Sequence, residues 1–133
     1  MRHLRIAALS LVSLIFCGCG FVHDERLTGD YRLIAVDTLE QMSVSLGLPG
    51  GNAIGRIEET VFAVGWSDRY IVAKQHPANN RSVTSFFILD MSRDSTYADP
   101  SESVTGILSE AEFNNLKAEL KLPDFRRIIE QLE

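Results

Sequence analysis

The apolar positions of this chain change their period twice. Ile6 to Phe16 is an uncharged, mostly apolar run of 11 residues behind Arg2 and Arg5. From Asp30 the pattern turns β-like. Tyr31 to Val36 is rich in strand formers, and Gln41 to Leu46 alternates, with Met42, Val44 and Leu46 on one face. Gly47 to Asn52 has the composition of a loop. Thr60 to Trp66 and Arg69 to Gln75 are β-rich runs split by Ser67-Asp68, which predicts a hairpin. His76 to Arg81 reads as a turn, because Pro77 has no amide hydrogen for a ladder and Asn tolerates positive φ. Ser82 to Leu89 follows as a strand with apolar residues on both faces, the mark of a strand covered on both sides. Asp90 to Ser103 is a polar loop, and Val104 to Leu108 a short edge strand.

The period then lengthens to that of a helix. Ser109-Glu110-Ala111-Glu112 matches a capping box, in which the Ser hydroxyl and the Glu carboxylate satisfy the first free amides. Phe113, Leu116 and Leu120 make one helical stripe. Pro123 ends this helix and opens a second, with Phe125, Ile128, Ile129 and Leu132 at helical spacing. Strands first and helices last predict an α+β fold. It is a single domain: an antiparallel β-meander of about 4–6 strands with one or two C-terminal helices packed on it.

The first 20 residues, MRHLRIAALSLVSLIFCGCG, carry an address. A basic tip followed by roughly 7–15 apolar residues is the pattern of a removed export signal, and a membrane-spanning helix needs about 20. Leu14 to Cys19 resembles a lipobox cut before Cys19, since small Gly18 precedes that cysteine whereas bulky Phe16 precedes Cys17. The expected division is a signal peptide over 1–18, a lipidated Cys19 with a polar tether over 19–28, and the folded domain over 29–133. Two or more acyl chains (palmitate or similar) on one cysteine anchor firmly, at about 0.8 kcal/mol per buried methylene. The expected location is the extracytoplasmic side of the bacterial cell envelope. Gly20 in place of an Asp favours the outer membrane, facing the periplasm, in a Gram-negative cell.

Several short motifs occur in order: Asp30-Tyr31-Arg32-Leu33, the hairpin from Val64-Gly65-Trp66 to Ile71-Val72-Ala73-Lys74, Phe86 to Asp90, and Leu108 to Phe113. Their arrangement resembles a family of small bacterial lipoproteins of unknown function, which has a strand ending in a "yyIId" run and a late "teeeF" helix start. The resemblance spans most of the mature chain and implies an α+β architecture. It brings no catalytic residues.

Charge narrows the partners. Loss of Arg2 and Arg5 with the signal takes the formal charge from −5 to −7, and a chain without basic clusters is ill suited to nucleic acid. Anionic headgroups would repel it, so the anchor must supply the membrane attachment. Both cysteines, Cys17 and Cys19, lie in the signal region. The domain therefore has no disulfide, cysteine nucleophile or zinc-thiolate set.

The search for chemistry finds no assembled set. His76 reads as a solvated turn histidine, and no nucleophile elbow accompanies it. Gly47, Gly50, Gly51 and Gly55 lack the Lys-Ser/Thr of a phosphate loop. Asp90, Asp94, Asp99 and Glu102 lack the spacing of a calcium loop. Glu58 and Glu59, as strand neighbours, would point to opposite faces. Trp66 and Tyr70 flank the hairpin tip and are the candidate interaction surface. The expectation is a non-enzymatic, protein-binding envelope lipoprotein with no cofactor and no metal. The alternatives are a small envelope hydrolase or ligand-binding protein with His76 near the Asp90–Asp99 acids, and an inhibitor or immunity lipoprotein.

Overall fold

The alternating runs form two antiparallel sheets in the computed structural model, which describes residues 20–133. The signal segment and Cys19 lie outside the described residues. The first sheet is a meander of β1 (His23–Thr28), β2 (Tyr31–Ala35), β3 (Ser43–Gly47) and β4 (Ala53–Ile57). The second holds β5 (Val61–Trp66), β6 (Tyr70–Gln75), β7 (Ser85–Asp90), β8 (Val104–Leu108) and β9 (Arg127–Ile128), in the order β8-β7-β6-β5-β9. Helix α1 (Pro100–Ser103) is a single turn, and α2 (Glu110–Leu120) is the main helix. The α+β class stands as expected.

The two sheets pack face to face. Leu33, Val44 and Ile57 of the first, with Met42 just before β3, meet Val61, Val64, Ile71 and Leu89 of the second, all nearly inaccessible. Each such side chain contributes about 1.5–3 kcal/mol on burial. The far face of the second sheet carries Val72, Phe86 and Ile88 against Phe113 and Leu122, with the Phe86 and Phe113 rings 5.0 Å apart. The layers are therefore sheet, sheet, helix. β7 is covered on both faces, as its two-sided apolar pattern required.

The start of α2 follows its sequence signature. Ser109 Oγ accepts from the Glu112 amide at 3.2 Å, and Glu112 Oε1 accepts from the Ser109 amide at 3.1 Å. The helix ends with Lys121 in the left-handed region at φ 55°.

Four expectations are corrected. The segment expected to be a tether contains β1, because His23 to Thr28 pair with β2 along its length. β4 was not anticipated: Gly55 and Arg56 break its alternation, and a register shift falls beside them. The second C-terminal helix does not form. Its segment runs as β9 and a 3₁₀ turn at Glu130–Leu132. The Arg126 and Ile129 amides donate to the Val64 and Phe62 carbonyls at 3.0 and 2.7 Å, so the segment closes the free edge of β5. Gly65 permits that approach, since a Cβ there would stand 2.0 Å from the Asp124 carbonyl oxygen. The Asp90–Ser103 connection, expected to be wholly loop, holds a 3₁₀ turn at Met91–Arg93 and α1.

Candidate functional site

Two ends of the sandwich differ in character. β1 begins beside the end of β2, where the Val22 amide donates to the Val36 carbonyl at 3.2 Å. β5 starts at the same end, since the Val61 amide donates to the Met42 carbonyl at 2.8 Å. The opposite end carries the Gly29-Asp30 turn, the β5–β6 hairpin tip and the start of the β7–β8 connection.

At the hairpin end, Trp66 pairs with Ile71 and packs on the inter-sheet core, whereas Tyr70 belongs to the cluster under α2. The two aromatics thus lie on opposite faces of the sheet and do not form one patch. Tyr70 is only 9% exposed. Each ring carries an arginine: the Arg126 guanidinium lies 4.2 Å from the Trp66 centroid and that of Arg69 5.0 Å from Tyr70. Arg69 also grips Asp90 with two hydrogen bonds, at 3.2 and 2.9 Å. The bond from Arg69 holds the Asp90 carboxyl below its ordinary range; burial opposes this, and Ser92 adds to it.

Next to this end lies a buried polar network absent from the sequence reading. Arg56 Nε donates to Asp94 Oδ2 at 2.9 Å, with side-chain exposures of 3% and 0%. The Tyr31 hydroxyl donates to the same oxygen at 2.7 Å, and Ser103 Oγ to Asp94 Oδ1 at 3.1 Å. Arg56 Nη2 donates to the Ser95 carbonyl at 2.7 Å. Burial first, and then Asp94, push the Tyr31 phenol well above its ordinary range. Asp94 is thus no solvated loop acid. It ties the β7–β8 connection to the first sheet, and every partner is satisfied.

His76 lies at the other end and is 4% exposed, not solvated. Its Nδ1–H donates to the Val83 carbonyl at 2.8 Å, and its ring stacks on Phe62 at 4.0 Å. Nε2 is buried without a partner among the described residues. Asp90 pairs with Tyr70, six residues from His76 along an extended chain, hence roughly 20 Å away. Asp94 is held by Arg56, and Asp99 caps α1 by accepting from the Ser101 amide at 2.9 Å. His76 therefore does not converge with these acids. It borders a recess of about 340 Å³ with Lys74, Glu110 and Glu133. The Lys74 ammonium there lies over the Phe125 ring, 4.8 Å from its centroid.

The outer face of the first sheet bears two recesses. One, of about 470 Å³, is walled by Phe21, Ile34, Leu48 and Pro49, with Asp24 and Arg32 paired on its floor. The other, of about 530 Å³, is lined by Val36, Asp37, Gln41, Ser43, Glu58 and Glu59. Glu58 and Glu59 follow the end of β4 and share this recess, contrary to the strand-neighbour argument. Gly55 lies bare between them and β3, with open space where a Cβ would stand. Among the described residues, no three His, Cys, Asp or Glu side chains group so as to hold a metal ion. No described helix is long and apolar enough to cross a membrane.

A family model described as a protein of unknown function, DUF3997, matches residues 28–129, from the last residue of β1 to the residue after β9. The chain belongs to that family. No curated protein and no solved structure matches it.

Proposed function

We propose that this protein is a bacterial envelope lipoprotein, anchored through acylated Cys19, whose domain binds another protein and catalyses no reaction. The observation that carries the reading is the signal segment ending at Gly18-Cys19, followed almost at once by a folded domain that begins at His23. The dispersal of His76, Asp90, Asp94 and Asp99 supports a binding role over a hydrolytic one, because general-base work needs near-contact. The contact surface is the hairpin tip, with exposed Asp68 and Arg69 and with Trp66 beneath Arg126, together with the adjoining connection that carries exposed Tyr97. Aromatic and arginine side chains are the residue types that dominate protein interfaces.

Intact mass and fractionation of the native protein beside a Cys19→Ser variant test the anchor. The expected result is a mass matching cleavage before Cys19 plus acyl groups, with the variant released from the membrane. A wild type that is soluble and unmodified overturns it.

A further inference from the structure

We infer that the β1 end of the sandwich is seated directly on a zwitterionic bilayer, so that the hairpin end faces away from the membrane. The inference rests on acylation of Cys19 and goes beyond it by assigning an orientation and a lipid-contacting surface.

Chain length carries the argument. Only Gly20, Phe21 and Val22 separate Cys19 from β1. The four Cα–Cα steps from Cys19 to His23 span at most about 14 Å when fully extended. The headgroup layer of one leaflet is itself about 5–8 Å thick. An acylated Cys19 sits at the boundary of hydrocarbon and headgroups, so His23 cannot rise more than about 9 Å above the lipid surface. A flexible ten-residue tether would have left orientation free; a three-residue connection into a paired strand does not.

The surface at that end fits the occupant. Val22 and Val36 are 56% and 49% exposed and are joined by the hydrogen bond from the Val22 amide to the Val36 carbonyl, while Phe21, 38% exposed, walls the neighbouring recess with Ile34. Apolar side chains at this level enter the interface. Around them stand Asp37, Glu58 and Glu59, which line the recess beside Val36. Zwitterionic headgroups present ammonium groups outward, which complement these carboxylates, whereas anionic lipid repels them. β2 runs away from this end, from Ala35 back to Tyr31, and Asp94 is bonded to Tyr31. Tyr97, three residues on and 97% exposed, belongs to the β7–β8 connection, which leaves β7 at the hairpin end.

The test uses the full precursor, processed in cells. Cleavage removes Cys17 and acylation blocks Cys19, so a cysteine introduced by Val36→Cys or Tyr97→Cys is the sole free thiol. Each variant is labelled with an environment-sensitive fluorophore and reconstituted in phosphatidylcholine vesicles that contain a headgroup nitroxide lipid. Quenching several-fold stronger at 36 than at 97 is expected. A ten-residue Gly/Ser insertion between Gly20 and Phe21 is expected to abolish the difference. Equal quenching at 36 and 97, with the acyl mass present and the protein floating with the vesicles, overturns the seating alone. Absence of the acyl mass and of flotation overturns the anchor and the seating together.

Discussion

Arg56 and Asp94 meet at 2.9 Å across the gap between the first sheet and the β7–β8 connection, with both side chains out of solvent. A pair buried this way is costly to break, because the remaining charge has no water to return to. Asp94→Ala strands the Arg56 guanidinium and is expected to lower unfolding free energy by about 3–5 kcal/mol. Tyr31→Phe removes one hydrogen bond to the same oxygen and is expected to cost about 1.5–3 kcal/mol, the range for a bond to a charged group. Urea unfolding of the two variants checks the ranking. A loss below about 1 kcal/mol for Asp94→Ala would show that water reaches the pair.

Gly65 lets the C-terminal segment reach β5, and that contact is expected to fail with the smallest side chain. In Gly65→Ala the new Cβ meets the Asp124 carbonyl, and backbone cannot rotate aside. The expected loss is about 1–3 kcal/mol, the range for overpacking. Faster amide exchange at Arg126 and Ile129, whose hydrogen bonds to Val64 and Phe62 hold β9 in place, should accompany it. Gly55→Ala is the control, since its Cβ would enter open space, and it should shift stability by no more than about 0.5 kcal/mol.

That contrast explains what the sequence disclosed. The β5–β6 hairpin and the α2 cap are local, set by alternation and by four consecutive residues, and both appear as read. Phe125, Ile128, Ile129 and Leu132 have a helical period, yet they serve an edge strand and a 3₁₀ turn. The free edge of β5 and the absent Cβ of Gly65 decide the matter, and neither is visible within that segment. β1 was hidden by its polarity. Its outward positions are charged, as an edge strand's are, and Glu25 is spent on Arg127 of β9. Asp94 looked like any loop acid because its partners, Tyr31 and Arg56, are 63 and 38 residues away. His76 looked solvated because Phe62 and Val83, which cover it, lie outside the turn that holds it and meet it only once the strands pair.

Orientation on the membrane makes a prediction about cross-links in the intact envelope. A photo-reactive residue at Asp68 or Tyr97, both exposed at the hairpin end, is expected to capture a protein. The same residue at Val36 should label lipid. Mass spectrometry of the adducts distinguishes the two. Lipid adducts at 97 together with protein adducts at 36 would reverse the assignment of the two ends.

Asp90 ties the hairpin tip to β7, and its titration sets a direction for acid sensitivity. Its folded-state pKa lies below the ordinary value, chiefly through the hydrogen bond from Arg69. The unfolded value is that of a free Asp, about 3.9. The folded state therefore binds the proton less readily, and the stabilisation is fully present above the unfolded value. It is lost as pH falls through that value and then through the folded one. Wild type and Asp90→Asn should differ in urea midpoint at neutral pH and converge as pH drops from about 5 to 2. The gap should also narrow with added salt, because the Arg69 side chain is 57% exposed and the pair is open to screening. Midpoints that coincide at every pH would mean that Asp90 acts through its hydrogen bonds to Ser92, which an amide oxygen can also accept, and not through its charge.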